Sequence, residues 1–208
     1  MKKLILLLTG LFLMINVASS QGIDDRAVIP VSITLNSILR LNVTSGGNIE
    51  FNFNTLNDYE NGIPSSAAYE TRFNVASSVD WDVLMYSENA NLVGTDIVTA
   101  GGNTANSMDL DNIGYHISHA TLGDITTDYD TPSGDAANPT PLTSDPATEL
   151  VGYNGALSNA GDINKNSFVI HWRCGTQEGT MRGETILSQG IAADRYSTNV
   201  FLILQPTN

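Results

Sequence analysis

The chain of 208 residues is poor in cysteine and in basic residues, and each shortage excludes a class of protein. The single cysteine, Cys174, cannot form an internal disulfide, so the chain is not a disulfide-stapled scaffold. Nine Lys and Arg stand against 22 Asp and Glu, for a net charge of −13. Nucleic-acid binding requires a dense basic footprint, so no nucleic-acid partner is expected.

The first twenty residues have the three parts of a secretory signal peptide. A basic start at Met1–Lys3 precedes an apolar run at Leu4–Val17 and small residues at Ala18–Ser20. The apolar run is shorter than the roughly 20 residues that span a bilayer, which disfavours a membrane anchor. We predict a signal peptide at 1–20 and no membrane insertion after its cleavage. The expected location is secreted, extracellular or on the cell surface, with the periplasm as an alternative.

Apolar and polar residues alternate with period two through most of the remaining chain, which is typical of β-strands. Between Val31 and Val43, six of the seven odd positions are apolar and only one of the six even positions is. This alternation predicts one long strand, joined by a turn at Ser45–Asn48 to a second strand in an antiparallel hairpin. The further predicted strands are Ile49–Phe53, Tyr69–Val75, Val79–Met85, Ile113–Ile117, Phe168–Cys174, Gly183–Ser188 and Arg195–Gln205.

These strands and the Gly, Asn, Ser and Pro turns between them predict an all-β protein, an antiparallel immunoglobulin-like β-sandwich. We expect a single domain at 21–208, with one long irregular loop at about 126–166 that holds four prolines. Val200–Leu204 is apolar on both faces of its strand, so this strand is expected to be central or covered on both sides. Cys174 alternates with apolar residues and is expected to be buried and unreactive.

Catalytic patterns are few. Asp80 and Asp82 share one face of a predicted strand, but adjacent carboxylates are common on solvated faces. His116 and His119 point to opposite faces of a strand, which disfavours a zinc site shared with His171. No G-x-S-x-G elbow is present, so the chain is not expected to be an enzyme.

Two weaker binding patterns lie in loops. Asp162, Asn164 and Asn166 echo the start of a calcium loop, but Ser167 stands where a glycine is expected. An Asx turn explains them more simply, so no cofactor is expected, with calcium as the alternative. Exposed aromatic rings stack on sugars, and the aromatic residues in predicted loops are Tyr59, Tyr129 and Tyr153. These tyrosines are the candidate glycan contacts of a carbohydrate-binding module.

The strand at 28–43 is the candidate self-association element. An amphipathic strand near the mature terminus can add to the sheet edge of another copy, and head-to-tail repetition of that contact builds a filament. Folding into its own sheet is the alternative. The residues expected to mediate association are Val31, Ile33, Leu35, Leu39, Leu41 and Val43.

The closing stretch 190–200 resembles the last turn and strand of bacterial immunoglobulin-like surface domains, including pilin-type and spore-coat-U-like subunits. The opening strand with Ile49–Phe53 is similar to secreted β-sandwich proteins of Bacteroidetes-type bacteria. The resemblance implies a surface or extracellular structural role without catalytic residues. We therefore expect a non-enzymatic structural or adhesive subunit whose partners are further copies of itself, other surface proteins or glycans. The alternative is a secreted carbohydrate-binding module.

Overall fold

The computed structural model describes residues 27, 29–98, 104–123, 125, 129–131 and 134–207. The predicted signal peptide at 1–20 lies outside these residues. The chain divides into two units, Met1–Leu35 and Asn36–Asn208. All the strands described below belong to the second unit. Within the described residues, no helix is long and apolar enough to cross a membrane.

The first sheet has five antiparallel strands in the order β1-β2-β9-β6-β7. Its strands are β1 (Leu39–Ser45), β2 (Glu70–Ser77), β6 (Ile113–His119), β7 (Thr140–Pro141) and β9 (Ser167–Cys174). The middle strand, β9, pairs residue by residue with β6 from Ile113↔Cys174 to His119↔Phe168. This register places every second side chain of β9 in the core and the others on the outer face of the sheet.

Two three-stranded antiparallel sheets complete the fold. The second sheet has the order β11-β3-β8, and the third has the order β10-β4-β5. Their strands are β3 (Trp81–Ser87), β8 (Thr148–Val151), β11 (Val200–Pro206), β4 (Asn91–Val98), β5 (Thr104–Asp109) and β10 (Tyr196–Ser197).

Helical structure is short. Helix α1 (Leu56–Asn61) begins after Thr55, whose hydroxyl accepts from the Asp58 N–H, while the Asp58 carboxylate accepts from the Thr55 N–H at 2.8 Å. This reciprocal capping box satisfies backbone donors that a six-residue helix cannot pair internally. Two single turns of 3-10 helix lie at Ala67–Tyr69 and Leu110–Asn112.

The core lies between the inner faces of the first and second sheets. Phe168 on β9 stacks on Phe73 of β2 at 5.4 Å between ring centroids and meets Trp81 of β3 edge-on at 5.9 Å. All three rings are almost completely buried. Contact between aromatic rings of two sheets defines a sandwich, so the predicted all-β sandwich is confirmed.

Several predicted strands are confirmed and others are wrong. The strands predicted at Tyr69–Val75, Val79–Met85, Ile113–Ile117 and Phe168–Cys174 are β2, β3, β6 and β9. Ile49–Phe53 forms no strand; its apolar side chains pack partly buried against the core, and β1 pairs with β2 instead. Gly183–Ser188 is a series of turns. Its only large buried side chain, Ile186, packs into the core without an extended backbone.

The two ends of the sandwich also differ from expectation. The first strand begins at Leu39, not at Val31. The predicted strand at Arg195–Gln205 is two strands, β10 and β11, which belong to different sheets. The predicted loop at about 126–166 contains the short strands β7 and β8, and its Leu150 and Val151 are fully buried. Cys174 is buried as predicted, and burial raises the pKa of its thiol to about 12.

Candidate self-association surface

The segment 29–35, called here the amino-terminal segment, carries four large apolar side chains at alternate positions. Ile29, Val31, Ile33 and Leu35 are between 81% and 89% exposed. The segment has no regular secondary structure. Large apolar side chains exposed together along one segment are a candidate interaction surface. Val31, Ile33 and Leu35, three of the six residues predicted for self-association, are therefore largely exposed.

The other half of the predicted association strand is occupied. Leu39 and Leu41 lie in β1, opposite Ser77 and Val75 of β2, and both are half-buried against the core. Val43, at the same edge, is opposite Phe73. These three residues are part of the first sheet of their own domain, so the strand predicted at 28–43 is corrected. The stretch without a strand partner ends before Leu39.

The junction between the two halves is fixed by hydrogen bonds. The Ile38 N–H donates to the Ser78 hydroxyl at 2.8 Å, and the Ser78 N–H donates to the Ile38 carbonyl at 3.0 Å. These bonds hold the start of β1 on the turn that follows β2. They explain why strand pairing begins at this point although the apolar alternation continues on both sides of it.

The last strand, β11, lies at an edge of its sheet and is partly exposed, contrary to the prediction that it is central or covered on both sides. Its only strand partner in the second sheet is β3, which pairs with all of Val200–Pro206. Val200, Phe201 and Ile203 are 37%, 41% and 40% exposed. An edge strand presents unpaired backbone N–H and C=O groups, and natural edges are usually short or charged. This edge is seven residues long and has no charged residue.

The inner side of β11 is only half covered. Leu202 and Leu204 on β11 and Leu39 and Leu41 on β1 pack against the same core, and all four are half-buried. β1 and β11 are edge strands of opposing sheets and approach one another without forming a ladder.

The outer face of the second sheet carries a further apolar stripe beside that edge. Tyr86 of β3 stacks on Phe201 of β11 at 5.2 Å between ring centroids, and Leu84 is the cross-strand partner of Ile203. Aromatic cross-strand pairs of this kind stabilise a sheet. Both pairs join the outer faces of β3 and β11, and β11 has no strand partner on its other edge among the described residues.

The candidate glycan tyrosines do not form one surface. Tyr129 is only 3% exposed; its hydroxyl donates to Asn166 Oδ1 at 2.8 Å, and its ring meets Phe168 edge-on. It is a core residue and has no face for a sugar. Tyr59 was predicted to lie in a loop, but it lies on helix α1 and is half-buried against Phe53. Tyr153 is half-buried in a loop. The sequence placed Tyr129 in a loop correctly, but nothing local showed that the loop folds inward.

The calcium-like residues have separate roles. The Asp162 carboxylate accepts from the Asn164 and Lys165 N–H groups, which is the Asx turn predicted as the simpler explanation. Asn166 is fully buried and donates to the Asn159 carbonyl at 3.0 Å. The described residues contain no group of three or more His, Cys, Asp or Glu arranged to hold a metal ion.

Asp80 and Asp82 anchor the loop at 152–160 to β3. Asp80 accepts from the Ser158 hydroxyl at 2.6 Å and the Asn159 N–H at 3.0 Å, and the Ser158 bond lowers the pKa of Asp80 most. Asp82 accepts from the Tyr153 N–H at 3.0 Å. Each carboxylate is used as a structural hydrogen-bond acceptor.

Sequence reasoning missed a polar cluster on the outer face of the first sheet. The rings of His116 and His171 stack at 4.5 Å between centroids, with 11° between their planes. Burial, followed by the charges of His171 and Arg173, lowers the pKa of His116 to about 4. Burial is also the largest cause that lowers the pKa of His171. The alternation placed both histidines on outer faces, but only the strand order β9-β6 brings them together.

In the same cluster, a serine, a histidine and a carboxylate lie next to one another in space, although they are far apart in the sequence. Ser118 Oγ lies 2.8 Å from His171 Nε2, and His171 Nδ1 lies 3.4 Å from Glu70 Oε1. Glu70 also accepts from Arg72 at 2.7 Å. Acyl transfer needs N–H donors aimed at the developing oxyanion. On a strand the neighbouring amides lie in the plane of the sheet, perpendicular to the Ser118 side chain, so the array is better suited to a structural network.

The buried guanidinium group of Arg173 lies at one side of this cluster. Arg173 is almost fully buried, pairs with Glu178, and donates to the Ser65 hydroxyl at 3.3 Å and to His116 Nδ1 at 3.4 Å. Its Nε is buried without a partner in the described residues. The side chain therefore ties the loop that follows β9 to the outer face of the first sheet.

No family model and no curated protein matches this chain. The predicted resemblance to pilin-type or spore-coat-U-like subunits accordingly stays a prediction, and the functional argument depends on the uncovered apolar surfaces described above.

Proposed function

We propose that the protein is a non-enzymatic, exported structural or adhesive subunit that self-assembles through its amino-terminal segment. The observation that carries the proposal is the exposure of Ile29, Val31, Ile33 and Leu35 at alternate positions of a segment that has no strand partner among the residues that the structure describes. A period-two apolar segment satisfies its backbone by pairing with a sheet edge, and its alternate side chains supply the contact area.

Charge supports the same proposal. Residues 27–38 contain no charged side chain, although the whole chain has a net charge of −13. Like charges spread over a surface oppose self-association, so an uncharged segment is the part of the chain that can meet another copy with least repulsion. The predicted signal peptide supports export, and a surface or extracellular location follows from it as part of the proposal.

The matched pair of variants Ile33→Asp and Ser32→Asp tests the proposal in the purified protein that lacks the predicted signal peptide. Both add one negative charge at adjacent positions, but only Ile33 belongs to the apolar set. Sedimentation velocity and negative-stain electron microscopy should show assemblies for the parent and for Ser32→Asp, and monomers for Ile33→Asp. A monomeric parent at all concentrations, or equal assembly by both variants, would contradict self-assembly through this segment.

The second candidate function is carbohydrate binding, which Tyr153, partly exposed in a loop, and Tyr59, partly exposed on helix α1, support. Glycan-array binding that is lost in Tyr153→Ala and retained in Ile33→Asp would favour it. Absence of binding by the parent protein would remove this alternative and leave the structural role.

A further inference from the structure

We propose that residues 175–182, called here the latch, close over the outer face of the first sheet at neutral pH and are released by acid when His116 takes up a proton. The latch follows β9 directly and contains turns but no strand. Its Glu178 pairs with Arg173, and Arg173 also contacts His116, so the latch and the stacked histidines meet at one guanidinium group. The proposal does not depend on self-association.

The latch is attached at both ends and lies against the sheet between them. Carbonyl groups of the 3-10 turn Leu110–Asn112 accept from the Gly175 N–H at 2.7 Å and from the Arg182 N–H at 3.0 Å. Between these ends, Met181 is 6% exposed and lies over Gly114 of β6, where a Cβ atom would collide with the Met181 sulfur. The closed position therefore has a defined seat on the outer face of the sheet.

Two features of the closed latch are unfavourable. Gln177 has a φ of 62°, in the left-handed region that residues with a Cβ atom rarely adopt. Arg173 Nε is buried without a partner among the described residues, and an unpaired buried donor opposes folding. Both are relieved when the latch opens, because Gln177 can then relax and Arg173 can reach water. The closed position therefore depends on the contacts around Arg173, above all its ion pair with Glu178.

His116 makes one of those contacts only while its ring is neutral. Arg173 Nη2 lies 3.4 Å from His116 Nδ1, and because a guanidinium group has no acceptor, the histidine nitrogen must accept. In a protonated imidazole both nitrogens carry hydrogen, so neither can accept. Protonation of His116 therefore removes this hydrogen bond and places a second positive charge beside a buried guanidinium group.

The surrounding charges leave this effect in place. The charged groups that face the two histidines are Glu70 and Arg72 on β2, Arg173 on β9, Asp135 in the loop before β7 and Glu178 in the latch. Burial lowers the pKa of His116 most, and the charges of His171 and Arg173 help to lower it to about 4, although the two nearby carboxylates raise it. Opening relieves burial and returns this pKa towards 6.5. The open latch binds more protons between these values, so opening becomes more favourable as the pH falls from 6.5 towards 4.

Hydrogen exchange at pH 7 and pH 4.5 tests the latch, with the rates corrected for the intrinsic effect of pH on exchange. The amides of Gly175 and Arg182 report opening, because both donate to the 3-10 turn. Their protection should fall about tenfold at pH 4.5, since opening takes up a proton in this range. It should also stay at least tenfold below the protection of amides in the centre of β3. Equal protection of the latch and β3 would mean that only global unfolding releases the latch, and would overturn the proposal.

Two variants separate the proton from the ion pair. His116→Gln should remove most of the tenfold pH effect on the latch amides, because glutamine does not titrate. Glu178→Gln should lower their protection already at pH 7 and leave β3 protected, whereas Glu60→Gln on exposed helix α1 is the control and should change neither. A full pH effect in His116→Gln, or unchanged protection in Glu178→Gln, would overturn the proposal.

A titration of the unaltered protein keeps the proposal testable if a variant does not fold. The nuclear magnetic resonance signals of the His116 ring and of the Gly175 and Arg182 amides should shift with one common midpoint, below that of an ordinary histidine. Latch amides that shift with a different midpoint, or do not shift while the His116 ring titrates, would overturn the role of His116.

Discussion

At the scale of single residues, the fold depends on buried polar side chains that no sequence pattern marks. Asn159 is almost fully buried; it accepts from the Trp81 N–H at 3.0 Å and donates to the Trp81 carbonyl at 2.7 Å. Its own carbonyl accepts from the Trp81 indole N–H at 3.0 Å. One loop residue thus satisfies the backbone of the most buried ring in the core. In the sequence, Asn159 is one asparagine among many in a polar stretch.

Replacing Asn159 by leucine should therefore be strongly destabilising. The Asn159→Leu variant leaves the Trp81 N–H and carbonyl buried without side-chain partners, and the expected loss in the free energy of unfolding is about 2–4 kcal/mol. Urea unfolding followed by tryptophan fluorescence measures it. Asn57→Ala, on exposed helix α1, is the control and should stay within about 0.5 kcal/mol of the parent. Equal losses in the two variants would contradict the role assigned to Asn159.

The stacked histidines predict a dependence of stability on pH. The pKa of His116 falls from 6.5 to about 4 on folding, so the unfolded chain binds more protons between these values. The contribution of neutral His116 to the free energy of unfolding is fully present above pH 6.5 and is lost as the pH falls towards 4. Because the pair is only partly buried, we expect a loss of about 1–2 kcal/mol between pH 7 and pH 4.5. Urea unfolding at both values measures it, and His116→Gln should reduce the difference.

The serine of the same cluster should behave as a structural residue. Because the sheet geometry aims no backbone N–H pair over Ser118, a fluorophosphonate probe should not label the protein, and Ser118→Ala should give the same background signal. Intact-mass spectrometry after incubation decides the point. A single adduct that disappears in Ser118→Ala would contradict the structural interpretation and identify a nucleophile.

At the scale of elements, alternation was a reliable guide where a strand has one buried face. β2, β3, β6 and β9 each carry at least two large apolar residues at alternate, buried positions, and each was predicted within a few residues. β4 and β5 were missed because their sequences, Asn91–Val98 and Thr104–Asp109, are mixed in polarity and belong to a sheet with few fully buried residues. Alternation also failed as a guide at Val31–Leu35, where the pattern continues but the chain forms no ladder.

The candidate self-association surface was predictable only in part, because apolar alternation does not show which strands pair. Alternation identified the apolar residues of the amino-terminal segment, but it could not separate those that pair with β2 from those that stay uncovered. That division depends on Ser78, which fixes the start of β1 from a distant position in the sequence. The edge position of β11 depends on strand order, which is a long-range property that local sequence does not encode.

The exposed segment should contribute little to the stability of the folded unit. Because Ile33 is 81% exposed, Ile33→Asp should change the free energy of unfolding by less than about 0.5 kcal/mol even if it abolishes assembly. Thermal unfolding at a concentration where the parent is monomeric provides the measurement. A loss above about 1.5 kcal/mol would mean that the variant acts on the fold, and its effect on assembly would then need another explanation.

At the scale of the whole molecule, acidity and association oppose each other. A net charge of −13 repels approaching copies, whereas the segment proposed to mediate their contact is uncharged. Salt screens the repulsion and leaves burial of apolar surface intact, since the Debye length falls from about 30 Å at 0.01 M to about 8 Å at 0.15 M ionic strength. The charge distribution therefore favours assembly in media of moderate or high salt.

The degree of assembly should rise with ionic strength. Light scattering at 10 mM and 200 mM salt, at one protein concentration, should show larger assemblies at the higher salt. A contact formed by ion pairs would give the opposite dependence, because screening weakens it. Dissociation of assemblies by 200 mM salt would therefore contradict association through the uncharged amino-terminal segment.

The amino-terminal segment and the sheet edge with which it is proposed to pair are different surfaces of one polypeptide, and this asymmetry has a consequence for any polymer they build. A contact between unlike surfaces does not close on itself as a two-fold dimer does, so each subunit that joins leaves one surface of each kind unused. The two tips of such a polymer are chemically distinct, one ending in a naked strand and the other in a vacant sheet margin. A chain whose amino-terminal segment is altered but whose sheet edge is intact could still join at one end of the polymer, and it would stop growth at that end.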